Sequence, residues 1–301
     1  MRFIPPALQL LRPGIVGALR NSTRPPSRGI SNKHYRTMSA SIERAAEVSE
    51  SLAEIKARVE ASSLPSAPFP PTLVAVSKYK PASDILTCYE DGQLDFGENY
   101  VQELVEKAAA LPLEIRWHFI GTLQSNKAKT LAAIPNLDTI QTLTSFKTAK
   151  ALDKAIPDDR KMPLKILLQV NTSGEDSKSG LPPINTADGI AESELAKLAV
   201  SIISDCPKLL LQGLMAIGAL DQSLSASETE KNADFDTLKA TRDFLQKYLA
   251  SHVDEGGWGR DKRLVLSMGM SSDFEAALKA GSDIVRVGTG IFGQRPKKTS
   301  E

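Results

Sequence analysis

The sequence predicts an α/β fold: a single (β/α)8 barrel of parallel strands, with one extra helix in front of it. Three observations predict it. Short β-branched runs alternate with amphipathic stretches eight times over roughly 220 residues, and strict βα alternation gives parallel strands with right-handed crossovers at the usual size of a closed barrel. No GxGxxG follows the first run, as the doubly wound open sheet, the competing architecture, would lead one to expect. Unusual polar residues also recur at the ends of many runs rather than at one switch point.

In chain order, Ile42, Ala45, Ala46, Val48, Leu52, Ile55 and Val59 recur at helical spacing, and SSLPSAPFPP ends that helix. The eight expected strands are LVAVS (73–77), DFGEN (95–99), IRWHFIG (115–121), TIQTL (139–143), LKILLQVN (164–171), LLLQGLMAIG (209–218), RLVLSMG (263–269) and DIVRVG (283–288). Helices are expected near 82–91, 101–111, 125–134, 146–156, 193–204, 233–252 and 274–281. Polar, acidic DQSLSASETEKNA (221–233) reads as a solvated loop. The boundaries are a basic segment at 1–40, the barrel at 41–295 and a tail at 296–301.

Composition limits the function classes. The formal net charge is +1, but residues 1–40 hold seven basic residues and no acidic one, leaving 30 basic against 36 acidic in the rest. A folded part of negative balance argues against a nucleic-acid surface. No apolar run approaches the ~20 residues of a membrane span. Arg-rich, Ser-containing and acid-free, the first segment has the composition of a mitochondrial transit segment, and Met38 offers a start for a cytoplasmic form. Cys88 and Cys206 lie far apart with no CxxC and no nearby His, so neither a disulfide framework nor a metal site is expected.

Barrel enzymes keep their chemistry at the C-terminal ends of the strands. Along LVAVSKYK, Val74, Val76 and Lys78 share one face, so valines facing the interior bring the lysine with them. At an apolar mouth its amine loses hydration and becomes available for imine formation; on the surface it would be a solvated neighbour of Lys80. SMGMSSDFEAAL places Ser271 and Ser272 after a glycine, and Ser272 with Glu275 spells a capping box. RVGTG adds Gly288, Thr289 and Gly290. Two such loops are where this fold commonly binds phosphate, although turns and caps alone would use the same residues. Arg286 shares a face with Ile284 and Gly288, and a buried arginine needs a partner: a ligand, or an ion pair such as one with Glu98. Glu98, Asn99, His118 and Asn171 also end strands; a hydrogen-bonded core role is expected of His118, set between Trp117 and Phe119. Gly174 to Gly180 lacks the glycine before lysine that a P-loop requires and reads as a lid or turn.

AVSKYKP, FGENYVQE, WHFIGTLQSNK, VNTSGEDSKSG, GLMAIG, LSMGMSSDFEAAL and IVRVGTGIFG, in this order over about residues 41–295, closely resemble the pyridoxal phosphate homeostasis protein family. The resemblance implies a barrel of the alanine-racemase N-terminal type that binds pyridoxal 5'-phosphate (PLP). It implies a Schiff base at Lys78, the pyridine nitrogen facing Arg286, phosphate held around Ser267, Ser271, Ser272, Gly288 and Thr289, and Asn99 near the ring. It further implies a monomer in vitamin B6 homeostasis, with PLP-requiring apoenzymes as partners and no established catalysis. The basic extension, the 221–233 segment and Tyr79, where a threonine is common, depart from the family pattern.

Two other classes compete: an amino-acid racemase, and a barrel enzyme acting on a phosphorylated metabolite without PLP. Racemisation needs a base on each face of the substrate adduct. In racemases of similar barrel type the second base comes from an additional C-terminal domain, whereas about a dozen residues follow the last strand here. Turnover is therefore not expected.

Overall fold

Eight parallel strands close on themselves in sequential order, β1 pairing with both β2 and β8. They are β1 (Thr72–Val76), β2 (Asp95–Glu98), β3 (Arg116–Phe119), β4 (Leu137–Leu143), β5 (Leu164–Val170), β6 (Leu209–Ala216), β7 (Val265–Ser267) and β8 (Ile284–Val287). The computed structural model describes residues 39–175, 178–218, 232–253 and 257–294. The barrel belongs to a compact unit spanning Met38–Glu301; the basic segment before it, most of the 221–233 segment and the tail lie outside the described residues.

Helix α1 (Ile42–Ser62) starts on Ser41, whose Oγ accepts the Arg44 amide, and buries Val48, Leu52, Ile55 and Val59 along one stripe. It packs on α2 (Ala82–Glu90), α8 (Phe274–Lys279) and α9 (Thr289–Phe292), beside the loops that follow β1, β7 and β8. Between them run α3 (Val101–Ala110), α4 (Ala128–Ala132), α5 (Phe146–Ala155), α6 (Glu194–Asp205) and α7 (Ala233–His252). Expected strands and helices are all present, with ends shifted by a residue or two and by three at the start of the 125–134 helix. The short helix α9 is new, formed where the sequence suggested only a turn at Gly288–Gly290.

Strand parity sorts the interior. A Cβ on Gly97 would sit 3.0 Å from Val74 Cγ1, so both face the axis. Val74, Leu167, Met215, Val265 and Ile284 form an apolar cluster there, and His118, Gln141, Ser267 and Arg286, all buried, join it as a polar half. Gly269 has φ +92°, and a Cβ there would lie 2.5 Å from that of Ala277, so only glycine lets α8 close against the end of β7.

The capping box is absent. Asp273, not Ser272, precedes α8, and its Oδ1 accepts the Met270 amide in a local turn. Glu275 turns away to Arg58 of α1, with two hydrogen bonds of 3.0 Å. A bidentate pairing with a guanidinium outweighs a lone amide as a carboxylate partner.

Candidate functional site

Lys78 follows the end of β1 and is half-buried. Ser77 beside it is fully buried, its Oγ donating to Glu98 Oε1 at 2.7 Å. Lys80 is not a solvated neighbour: its Nζ donates to the carbonyls of Phe292, Gly293 and Gln294 at 2.8–3.0 Å, tying the β1 loop to the C-terminus of α9.

Arg286 is 4% exposed and level with Val74 on the neighbouring strand. The alternative partner weighed for it, Glu98, does not pair with it. Its NH1 donates to Ser267 Oγ (2.7 Å) and its NH2 to the Ala216 carbonyl (2.9 Å), and burial pushes the guanidinium down to about 10. It stays charged at neutral pH, with the Asp273 carboxylate acting on it through space, and its remaining N–H groups can serve another acceptor. Glu98 instead faces outward to Lys107 of α3, 2.6 Å away, and burial raises its carboxyl pKa against the pull of that ammonium.

Arg286 heads a polar chain across the barrel. Ser267 Oγ accepts from Arg286, so its own proton goes to Gln141 Oε1 (2.7 Å). Gln141 Nε2 is then the donor to His118 Nδ1 (3.0 Å), and His118 Nε2–H donates to Asp95 Oδ1 (3.0 Å). Burial alone would raise the Asp95 carboxyl pKa, but hydrogen bonds from Arg116 and His118 hold it well below the usual carboxylate range. His118 thus has the expected hydrogen-bonded core role. Ser267, expected among the phosphate ligands, has its hydroxyl occupied between Arg286 and Gln141.

The two loops expected to hold phosphate do meet. Gly288 N–H donates to Ser271 Oγ at 3.1 Å, with Ser272 and Thr289 exposed beside them. A Cβ on Gly288 would come within 3.2 Å of the Val76 carbonyl, so this loop lies directly against the end of β1. Asn99, at the end of β2, buries its Oδ1 without a hydrogen-bond partner among the described residues. An orphaned buried carbonyl at a strand end is an acceptor that a water or a ligand donor can satisfy. The described residues of the Gly174–Gly180 segment are tied to the end of β5: Asn171 Nδ2 donates to the Glu175 and Lys178 carbonyls and Gln169 Nε2 to that of Ser179.

Lys78, Asn99, Ser271 and Gly288 therefore stand at one end of one barrel, with Arg286 below them, and the profile of the alanine racemase N-terminal domain matches residues 51–296. The human pyridoxal phosphate homeostasis protein is 43% identical over 235 residues, covering 75% of this chain and 77% of its own. The chain belongs to the pyridoxal phosphate homeostasis protein family. A family structure from Synechococcus elongatus, PipY with PLP bound, is 32% identical with TM-score 0.61, covering 82% of this chain and all of that one. Alanine racemase from Streptomyces coelicolor, 15% identical with TM-score 0.59, shares the fold over 84% of this chain and 59% of its own.

Sequence reasoning missed Asp95, Gln141, Glu103 and Lys107. Gln141, an amide between Ile140 and Thr142 in a strand buried at every position but Asp138, carried a usable signal. Lys107 carried none, since a helix lysine four residues after a glutamate reads as a solvated pair.

Proposed function

We propose that this chain binds pyridoxal 5'-phosphate through Lys78 and serves intracellular PLP homeostasis as a carrier, passing the cofactor to PLP-requiring apoenzymes without turnover of its own. One observation carries the proposal: the Ser271–Gly288 loop junction lies against the end of β1, where Lys78 follows, on the strand next to buried Arg286. The PLP in the PipY structure supports it. When bound, the cofactor supplies an aldehyde that a lysine amine takes up with loss of water, and an electron-withdrawing ring.

The residues divide the work. Lys78 provides the amine. Ser271, Ser272, Gly288 and Thr289 provide hydroxyls and backbone N–H groups for the phosphate. Asn99 offers its orphaned Oδ1 beside the ring. Arg286 offers N–H donors to the ring nitrogen, and a guanidinium does not surrender its proton, so the ring is left a weaker electron sink. Ser267 stands behind Arg286 and orients it. Tyr79 and Tyr100 hydroxyls bond each other at 2.5 Å on the exposed rim, where neither stands ready as a second base. Both features favour binding over racemisation.

The basic segment supports import into mitochondria, with a cytoplasmic form starting at Met38, and we take the carrier to be a monomer. The test incubates PLP-loaded protein with L- and D-alanine in heavy water, then with an apoenzyme. Transfer of cofactor without exchange at Cα is expected; exchange in the enzymatic range of roughly 1–1000 per second would establish a racemase instead.

A further inference from the structure

The backbone on either side of Lys78 is gripped by one helix. The Ser77 carbonyl, which belongs to the peptide before Lys78, accepts from Lys107 Nζ at 2.8 Å. The Tyr79 N–H, which belongs to the peptide after it, donates to Glu103 Oε1 at 2.7 Å. Glu103 and Lys107 are one turn apart on α3 and 2.6 Å from each other. Lys107 is only 7% exposed, and its three N–H donors meet three acceptors, on Ser77, Glu98 and Glu103. Burying a lysine this far demands such full satisfaction, and a solvated surface pair would not need it.

Tyr79 shows what the grip does. Its φ is +62°, the left-handed region that a residue with a bulky side chain avoids. Backbone held there persists only where surrounding contacts over-determine it, and such residues cluster at functional sites. The reversal falls directly after Lys78, in the turn that follows β1, so both flanking peptides are held and the Cα–Cβ direction of the lysine is set between them. The ion-pair chain continues inward to Glu98, whose Oε1 also accepts from Ser77 Oγ, locking the ends of β1 and β2 to the same helix.

We propose that the Glu103–Lys107 pair of α3 is a positioning device for Lys78, setting where its amine meets the cofactor. This rests on Lys78 being the cofactor-bearing lysine, as proposed above. Neither residue acts on the cofactor; each acts through the two peptides that flank the lysine.

The test compares four variants of the full chain with the unaltered protein, reading PLP affinity, the pH profile of the absorption band of attached cofactor, borohydride-trapped label on Lys78, and thermal stability. Glu103→Ala and Lys107→Met are expected to weaken PLP binding about tenfold or more, the scale of one lost hydrogen bond to a charged group, and to shift the pH profile of the band. Lys107→Arg is expected to restore most of both. Leu104→Ala, fully buried on the same helix, is expected to lower the melting temperature while keeping affinity and pH profile. Unchanged affinity and band in Glu103→Ala would overturn the proposal, as would an equal loss of affinity in Leu104→Ala. Should Lys107→Met fail to fold, Glu103→Ala decides alone, because its side chain lies at 20% exposure near the surface. Failure of the unaltered protein to trap PLP on Lys78 would strike the function proposed above and not the grip.

Discussion

Gln141→Leu keeps the side chain's bulk and removes its amide from the middle of the interior chain. Gln141 is fully buried, its Oε1 accepting from Ser267 and its Nε2 donating to His118. The substitution strands two buried groups, the Ser267 hydroxyl and His118 Nδ1, at about 1–3 kcal/mol each. Better packing of leucine offsets part of this, so the expected net loss is about 2–4 kcal/mol. In a domain of this size that lowers the melting temperature by about 5–15 °C. Urea titrations of Gln141→Leu, Ser267→Ala and the double variant close a mutant cycle. The double variant is expected to lose at least about 1 kcal/mol less than the sum of the singles, because the Ser267–Gln141 bond is then counted once. A loss below about 0.5 kcal/mol for Gln141→Leu, or strict additivity, would refute a continuous chain from Arg286 to Asp95.

Arg286→Gln is expected to weaken PLP retention and shift the absorption of the bound cofactor; an unchanged spectrum and affinity would leave the arginine a structural role only. Asp95 has a folded-state pKa below its unfolded value, so its contribution is complete above about pH 4 and is lost as the pH falls further. Acid titration of Asp95→Asn should accordingly show a shallower fall in stability below pH 4 than the unaltered protein. Gly121→Ala would place a Cβ 1.9 Å from the Asn99 carbonyl oxygen, and is expected to cost stability and weaken PLP binding together, measured by melting and by titration. A fluorescent fusion of residues 1–37 should reach mitochondria, and a wholly cytosolic signal would remove that role.

How far the sequence was legible depends on the range of the interaction. β-branched runs and helical stripes are local, so each strand and its neighbouring helix could be placed, and the inward parity of Val74 could be read directly. Seven motifs in order named the family. The failures are long-range pairings. Ser272 and Glu275 have capping-box spacing, but Arg58, 217 residues away, takes the glutamate. Arg286 was seen to need a partner, but Ser267 and Ala216 became its partners because β6 and β7 end at its level, which only barrel closure determines. Lys80 looked solvated because the carbonyls it caps belong to a helix over 200 residues later. Lys107 could not be singled out, because its acceptors Ser77 and Glu98 stand at the ends of two strands that only the fold brings under α3.

The most direct measurement is borohydride reduction of the PLP-loaded protein followed by peptide mapping, alongside Lys78→Ala. Lys78 lies in the turn after β1 and is only half-buried, so the variant should keep its circular dichroism and melting transition while losing the label. A single modified peptide containing Lys78 is expected from the unaltered protein. Label on Lys80 or any other lysine, or label surviving in Lys78→Ala, would contradict Lys78 as the point of attachment.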